Sequence, residues 1–445
     1  MIVDIICRLY INKILSQHTM IKCKEYKNGK GKFEIEIDFT GLSMLESETK
    51  IQDSINEVGN MMTEKRLKEF DADGSPIIIG DVKMTTKGLY MGGYETPFGQ
   101  IEVERHLYQT NNGGKTYCPL NENARIIKKT CTPKLAKTIS NKYSNLAAGE
   151  VVTDMSENHS RDLTRSYIQD VSEFVGSIVN AKEEEWHYEI PKINDAISTV
   201  GISMDGACVL ILKDGYREVM TGAITLYNKE GIRMHSLYYA VEPEQGKQRF
   251  FNKMKSAINE IKGQFPDALY IGVSDGAKDL WKFLKKHTSE QILDYYHASE
   301  YLSEASHGIY PKDEKERKKW LDDAYSSLKH DSYYPTKVIS EMKNASRKKL
   351  KDAYKEKLES AITYFKNNKS RMKYAENLER NLPIGSGVIE AACKTIVKSR
   401  LCRTGMKWKS NGVKIVLSLR AMIKSSGKWN LFWNKINNIG VPVVT

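Results

Sequence analysis

A mixed α/β architecture, with an open sheet and an all-helical insertion, is the fold class this sequence predicts, and three observations predict it. From Ser198 onward, apolar strand-like runs alternate with helical ones, the pattern of crossover connections in an open mixed sheet. Two of those runs, GISMDG at 201–206 and IGVSDG at 271–276, finish on the same Asp–Gly pair. From about Glu300 to Arg380 the strand signal disappears. Stretches such as SRKKLKDAYKEKLESAITYFKNN there carry opposite charges at helical spacing.

The bulk numbers bound the rest. At 445 residues the chain exceeds what one compact core holds, so two or three domains are expected. A hydrophobic content of 40% is enough to bury cores, and the net charge of +12 favours a polyanionic partner. That charge alone fits a ribosome-like or membrane-surface protein equally well. The seven cysteines (Cys7, Cys23, Cys118, Cys131, Cys208, Cys393 and Cys402) include no CxxC pair and are odd in number. Neither a zinc ribbon nor a secreted disulfide framework is indicated, and a reducing, cytoplasmic setting suits them. The first twenty residues are apolar but broken by Asp4, Arg8 and Lys13, which argues against a signal peptide or membrane span. Met20 is an alternative start, leaving 1–19 as an N-terminal extension.

Taken in order, Ser43 to Phe70 reads as an amphipathic helix, with Ile51, Ile55, Val58, Met61 and Met62 at helical spacing. Residues 76–118 read as short strands and hairpins, completing an N-terminal α+β domain over 20–125. Pro133 opens a helix, AAGE at 147–150 marks a turn, and a further helix runs from Ser160. Residues 126–190 therefore form a helical domain compatible with a helix-turn-helix DNA reader, or equally with an ordinary helical linker. Residues 191–300 supply the first part of the sheet core. Within it, STVGISMDG is read as one strand ending in an acid, CVLILKDG as the next, and QILDYYHA as the last. A helical insertion occupies 301–380, and 381–445 returns to the core with a basic tract.

Strand ends in an open α/β sheet are where ligands bind. An Asp–Gly pair there puts a carboxylate at the edge and lets the chain turn, although DG is also a common turn dipeptide. If the two strands are neighbours, Asp205 and Asp275 stand side by side, which is costly unless a hard divalent cation bridges them. A third acid, Glu390, falls in the first turn of the helix that opens at LPIGSG, where a capping or dipole role is the ordinary reading. Val388, Ile389, Ala392, Cys393 and Ile396 form that helix's packing stripe, with Glu390 at its border beside Lys394 and Lys398. From Ala391 to Lys428 there are ten Lys or Arg and no Asp or Glu. Exclusion of acids marks Lys394, Lys398, Arg400, Arg403, Lys407, Trp408 and Arg420 as candidate DNA contacts. Two strand-borne acids and one helical acid are what two-metal phosphoryl transfer requires. Asp294 is a candidate fourth metal ligand. His297 is a candidate for contacting a phosphate or orienting a metal-bound water, or is a structural histidine.

Several longer strings carry a resemblance. YETPFGQIEVERHLYQT at 94–110, SDGAKDLW at 274–281, ILDYYHASEYL at 292–302, IGSGVIEAACK at 384–394, RLCRTGMKW at 400–408 and LSLRA at 417–421 resemble bacterial insertion-sequence transposases of the Kra group, DDE enzymes of the RNase H-like superfamily. The likeness spans Tyr94 to Trp433. It implies an RNase H-like core with the acidic triad on Asp205, Asp275 and Glu390 and with two Mg²⁺ or Mn²⁺ ions as cofactors. It also implies action on DNA, both the terminal inverted repeats of an element and its target, and work at the bacterial nucleoid as a homodimer or larger assembly without membrane involvement. The 115 positions between Asp275 and Glu390 are then accounted for by the helical insertion. Two other readings stay open: an RNase H-like endonuclease that cuts without strand transfer, and a catalytically silent DNA-binding descendant.

Overall fold

The computed structural model describes residues 19–183 and 185–442. Of the expected extension 1–19, residues 1–18, with Met1 and Cys7, lie outside the described residues. The chain divides into two compact units, one running to Ile178 and resuming at Asn430, the other Val179–Trp429. The first therefore joins the expected α+β and helical regions, and its boundary falls before residue 190.

In the first unit, β1 (Thr19–Lys27) and β2 (Lys30–Ile37) form an antiparallel hairpin. Its turn is Asn28–Gly29, both at positive φ, the pairing that two-residue hairpin turns demand. Helix α1 (Met44–Lys68) begins where the amphipathic pattern predicts, capped by Ser43 in a capping box with Glu46. A four-stranded antiparallel sheet follows: β3 (Ile77–Ile79), β4 (Val82–Glu95), β5 (Gln100–Thr110) and β6 (Gly113–Tyr117). Tyr94, Ile101, Val103, Leu120 and Ile126 form its core with Leu67 of α1. After the short α2 (Pro119–Asn123) come α3 (Pro133–Asn145), α4 (Ala148–His159) and α5 (Arg165–Lys182). The AAGE segment starts α4 rather than turning the chain, because the Glu150 carboxylate accepts the Ala147 N–H at 2.7 Å and caps the helix there. Residues from Ser160 to Thr164 are loop before α5.

The second unit is built on a five-stranded mixed sheet of order β11-β10-β7-β8-β9. Its members are β7 (Thr199–Ile211), β8 (Gly215–Tyr227), β9 (Arg233–Val241), β10 (Leu269–Ser274) and β11 (Glu290–Leu293). The first three form an antiparallel meander; β10 lies parallel to β7, and β11 parallel to β10. The two strands expected at 198–215 are one continuous strand: β7 passes through Asp205 and keeps pairing with β8 as far as Ile211 opposite Gly215. Helix α6 (Gln248–Gln264) buries Phe250, Met254, Ile258 and Ile261, and α7 (Lys278–His287) buries Leu280, Trp281 and Leu284 in the same core.

The helical insertion starts earlier than expected. β11 stops at Leu293, Asp294 caps α8 (Tyr295–Ile309), and α9 (Glu314–His330), α10 (Tyr334–Ser346), α11 (Asp352–Asn368) and the short α12 (Tyr374–Glu379) follow. Asp294 ends the strand because its side chain accepts the Tyr296 N–H, a helix-starting bond no strand residue can make. Leu302, Leu328, Val338, Met342, Leu358 and Phe365 of these helices belong to one apolar core with the sheet strands. The chain then enters α13 (Gly387–Ala392), a π-helical stretch (Cys393–Lys398) and α14 (Ser399–Leu401), before α15 (Ser410–Lys424) and α16 (Lys428–Ile439). Six cysteines in the described residues are free thiols. No helix among the described residues is long and apolar enough to cross a membrane.

Candidate active site

The carboxylates converge through sheet register. Val273 of β10 sits opposite Ser203 of β7, the last pair of that ladder, and Asp275 follows just beyond the end of β10, close enough for its charge to act on Asp205. Asp205 is half-buried in mid-strand, opposite Thr221 of β8. Burial first, and the Asp275 charge as well, lift its pKa above the ordinary carboxylate value, against the pull of the Gly206 N–H, the Cys393 thiol and the Lys398 ammonium. The thiol of Cys393 is itself pushed up to about 12 by burial and by Asp205, so it stays protonated and donates to the carboxylate.

Asp275 is held by a tight turn. Its Oδ1 accepts from the Ala277 N–H and from Ser274 Oγ, both at 3.2 Å, and Gly276 takes φ +121°. Tyr364 Oη of α11 donates to the Asp275 carbonyl at 2.7 Å, so the insertion fixes the backbone that carries this acid.

Glu390 is reached through Asp294 and Ser386. The Asp294 N–H donates to the Ser274 carbonyl (2.9 Å), which anchors Asp294 next to Asp275. Its Oδ1 accepts the N–H groups of Tyr296 (3.0 Å) and Ser386 (3.2 Å), and its Oδ2 accepts Ser386 Oγ at 2.6 Å. Ser386 Oγ also lies 3.2 Å from Glu390 Oε1. Asp294 is buried with both oxygens occupied, so it does not serve as the fourth metal ligand expected of it. It is a positioning residue that ties the edge of β10 to the loop presenting Glu390.

Among the described residues, no three His, Cys, Asp or Glu side chains form a ready-made chelating cluster. Asp205, Asp275 and Glu390 share a neighbourhood rather than a finished coordination sphere. Their chemistry fits hard cations: three half-buried carboxylates, two of them close enough for the charge of one to act on the other. His297 lies in the first turn of α8 with Nδ1 3.2 Å from Glu300 and its ring edge-on to Tyr301 and Tyr364. Those contacts put it beside the residue that holds Asp275 rather than on the acids themselves.

The basic tract splits in two. Lys394, Lys398, Arg403 and Lys407 are exposed. Arg400, Trp408 and Arg420 are buried and are corrected from DNA contacts to structural groups. The π-helical turn displaces carbonyls from the regular ladder. Arg420 supplies the missing donors, to the carbonyls of Ile396 (2.7 Å) and Thr395 and to Ser399 Oγ (2.8 Å). Burial and the nearby Arg400 pull the Arg420 pKa down to about 10. The Arg400 guanidinium lies 4.9 Å over the Trp408 ring, whose Nε1–H donates to the Leu401 carbonyl. The π turn also brings Val397 into the packing stripe beside Ile396, which a uniform 100° wheel misses. In the first unit, α4 carries Glu150, Asp154 and Glu157, with Asp154 paired to Lys142 of α3.

Sequence reasoning missed Cys393 as a partner of Asp205, Ser386 as a bridge and Tyr364 as a brace. Ser386 lies in the LPIGSG string at the helix start, where spacing shows no bridge; Tyr364 has no local signal, lying 89 positions from Asp275. Compared with models of known protein families and with curated proteins, the chain matches none.

Proposed function

We propose that this protein is a DNA transposase of the DDE type, with an RNase H-like core that cuts the ends of its element and joins the 3′-hydroxyl to target DNA. The observation that carries the reading is the proximity of Asp205 on β7 and Asp275 just past the end of the adjacent parallel strand β10, with Glu390 linked to them through Ser386 and Asp294. A meander of three antiparallel strands followed by two parallel ones, with the acid-bearing first strand central, supports the RNase H-like assignment.

In this reading Asp205, Asp275 and Glu390 hold divalent ions, Mg²⁺ or Mn²⁺. Such ions supply charge to the attacking and leaving oxygens of an in-line displacement. The chain's own part is positioning. Cys393 orients the Asp205 carboxylate, the Gly276 turn and Tyr364 fix Asp275, and Ser386 fixes the first turn of α13. Exposed Lys394 and Lys398 flank Glu390 and take the phosphate backbone, as do Arg403 and Lys407. Bringing two element ends together calls for two or more copies of the chain, and a DNA substrate places the protein at the nucleoid.

The test uses purified protein, Mg²⁺ or Mn²⁺, and labelled duplexes carrying the DNA that flanks the coding region. Nicked plus joined products are expected, whereas nicking without joining selects the endonuclease reading. Asp205→Ala, Asp275→Ala and Glu390→Ala each lower cleavage by on the order of 10³-fold while leaving duplex affinity in place. Activity retained in any of the three removes that residue from the site. Lys394→Gln with Lys398→Gln weakens binding and flattens the salt dependence by roughly one unit of slope per lost phosphate contact. Arg420→Ala behaves differently: it destabilises the unit by about 2–4 kcal/mol, because the carbonyls of the π turn are orphaned. A lowered salt slope with an unchanged melting temperature would return Arg420 to the DNA surface.

A further inference from the structure

Where β10 stops opposite Ser203, β7 runs on to Ile211 with the side away from β8 left open. The chain returns to cover that side. After α14, the segment 402–408 lies along it: Trp408 pairs with Ile211 in a parallel bridge, and its carbonyl accepts the Leu212 N–H at 2.8 Å. At the other end of the segment, Cys402 Sγ donates to the Cys208 carbonyl at 3.5 Å. Two cysteines 194 positions apart in sequence therefore meet on adjacent stretches of backbone.

Both thiols are exposed, whereas Cys131 and Cys393 are buried and Cys23 and Cys118 half-buried. A disulfide needs two Cα atoms within about 6 Å of each other and side chains that turn toward one another. A sulfur held at its partner's own carbonyl stands within that reach, so side-chain rotation alone joins the pair without altering backbone pairing. The pair also lies beside the acids. Lys398, whose ammonium pulls on the Asp205 carboxylate, pulls on the Cys402 thiol as well. Cys208 follows Asp205 on β7, and Cys402 closes the helical run that begins with α13 and carries Glu390.

We propose that Cys208 and Cys402 are a thiol–disulfide site, oxidised by small disulfides such as glutathione disulfide, whose bond staples the Glu390-bearing helical run to β7. The bond forms in two exchanges. One protein thiolate attacks the small disulfide, making a mixed disulfide and releasing one small thiol. The second protein thiolate attacks that mixed disulfide and releases the other. The protein thiols lose two protons and two electrons, and the small disulfide takes up both. In a reducing cytoplasm such a bond is transient and marks an oxidising episode. Neither the bond nor its effect depends on the DNA-cleaving reading above.

The probe is glutathione disulfide, incubated in EDTA with full-length protein that has been reduced and freed of reductant. Peptides are then mapped by mass spectrometry without reduction. A peptide pair joining Cys208 to Cys402 within one chain is the dominant bridged product, and dithiothreitol reverses it. Partial burial lifts the Cys402 thiol above its ordinary value against the pull of Lys398, so bridging quickens from about pH 7 toward 9. The oxidised protein melts roughly 5 °C above the reduced form. Amide hydrogen exchange over 387–401 slows roughly 10-fold. Cys208→Ser and Cys402→Ser each remove the bridge and the melting shift, and leave glutathione on the remaining thiol. Glutathione on both thiols without a bridge overturns the proposal. So does a bond formed between two copies of the chain, or an oxidised protein whose melting and exchange match those of the reduced form.

Discussion

At Asp205–Gly206 the chain runs straight on through β7, whereas at Asp275–Gly276 it stops and turns. Identical dipeptides after similar apolar runs thus have opposite backbones. The difference lies in the partners each strand finds. Beyond Asp205, β8 continues alongside to pair the backbone as far as Ile211, so the strand loses nothing by going on. Beyond Ser274, the outer neighbour β11 has ended at Leu293, and the chain must leave for α7 on the face of the sheet. Gly206 keeps an extended conformation, while Gly276 sits at φ +121°, a region that side chains avoid. Both routes nevertheless bring a carboxylate to one end of the β7–β10 pair, where the charge of Asp275 acts on Asp205. A strand-end acid is therefore defined by where the neighbouring strands stop, not by the dipeptide.

The comparison breaks most visibly at the glycines. Gly276→Ala costs about 1–3 kcal/mol from strain at positive φ and pushes against Tyr364, so Asp275 shifts and cleavage falls by roughly 10- to 100-fold. Thermal unfolding and single-turnover cleavage measure the two effects. Gly206→Ala meets only the exposed Glu218 side chain, which is paired to Lys247, and has to move it aside. Its effect on stability stays within about 1 kcal/mol, and its cleavage rate stays near that of the parent. Equal damage at the two glycines would show that the strand-versus-turn contrast does not matter to the site.

A smaller effect sharpens the contrast at the acids. Burial raises the Asp205 pKa in the fold, so the neutral acid is the form the folded state prefers. The stability from this residue is complete at low pH and is lost as pH rises through the ordinary carboxylate range toward the raised value. Asp205→Asn imitates the neutral form. At pH 7 it melts roughly 2 °C above the parent, and the gap closes as pH falls to about 3. Mg²⁺ narrows the gap at pH 7 by stabilising the parent alone. A gap that is independent of both pH and Mg²⁺ would separate Asp205 from any cation site.

Local patterning made much of this molecule legible. The amphipathic spacing after Ser43, Pro133 at a helix start, the apolar strands of the sheet and the charged helices after it are short-range signals, and helices and strands form where those signals are. Boundaries suffered where one residue serves two elements: Asp294 is apolar-strand context in sequence and a helix cap in space. The basic tract was legible in composition only. Nothing in the spacing of Lys398, Arg400 and Arg420 says which of them faces water, because the π turn shifts the helical phase at Arg400 and Arg420 lies on a separate helix, α15, that packs back on that turn.

What the sequence by itself determined is the inventory: a mixed α/β chain, two acids on apolar strands, a third in a first helical turn, and an acid-free basic stretch. Tertiary structure decided which of these groups meet. Asp205 and Asp275 are neighbours because β10 pairs in parallel with β7 at one particular register, and Glu390 joins them through Ser386 and a buried Asp294. Register and burial are set by long-range backbone pairing and packing, which no window of sequence contains.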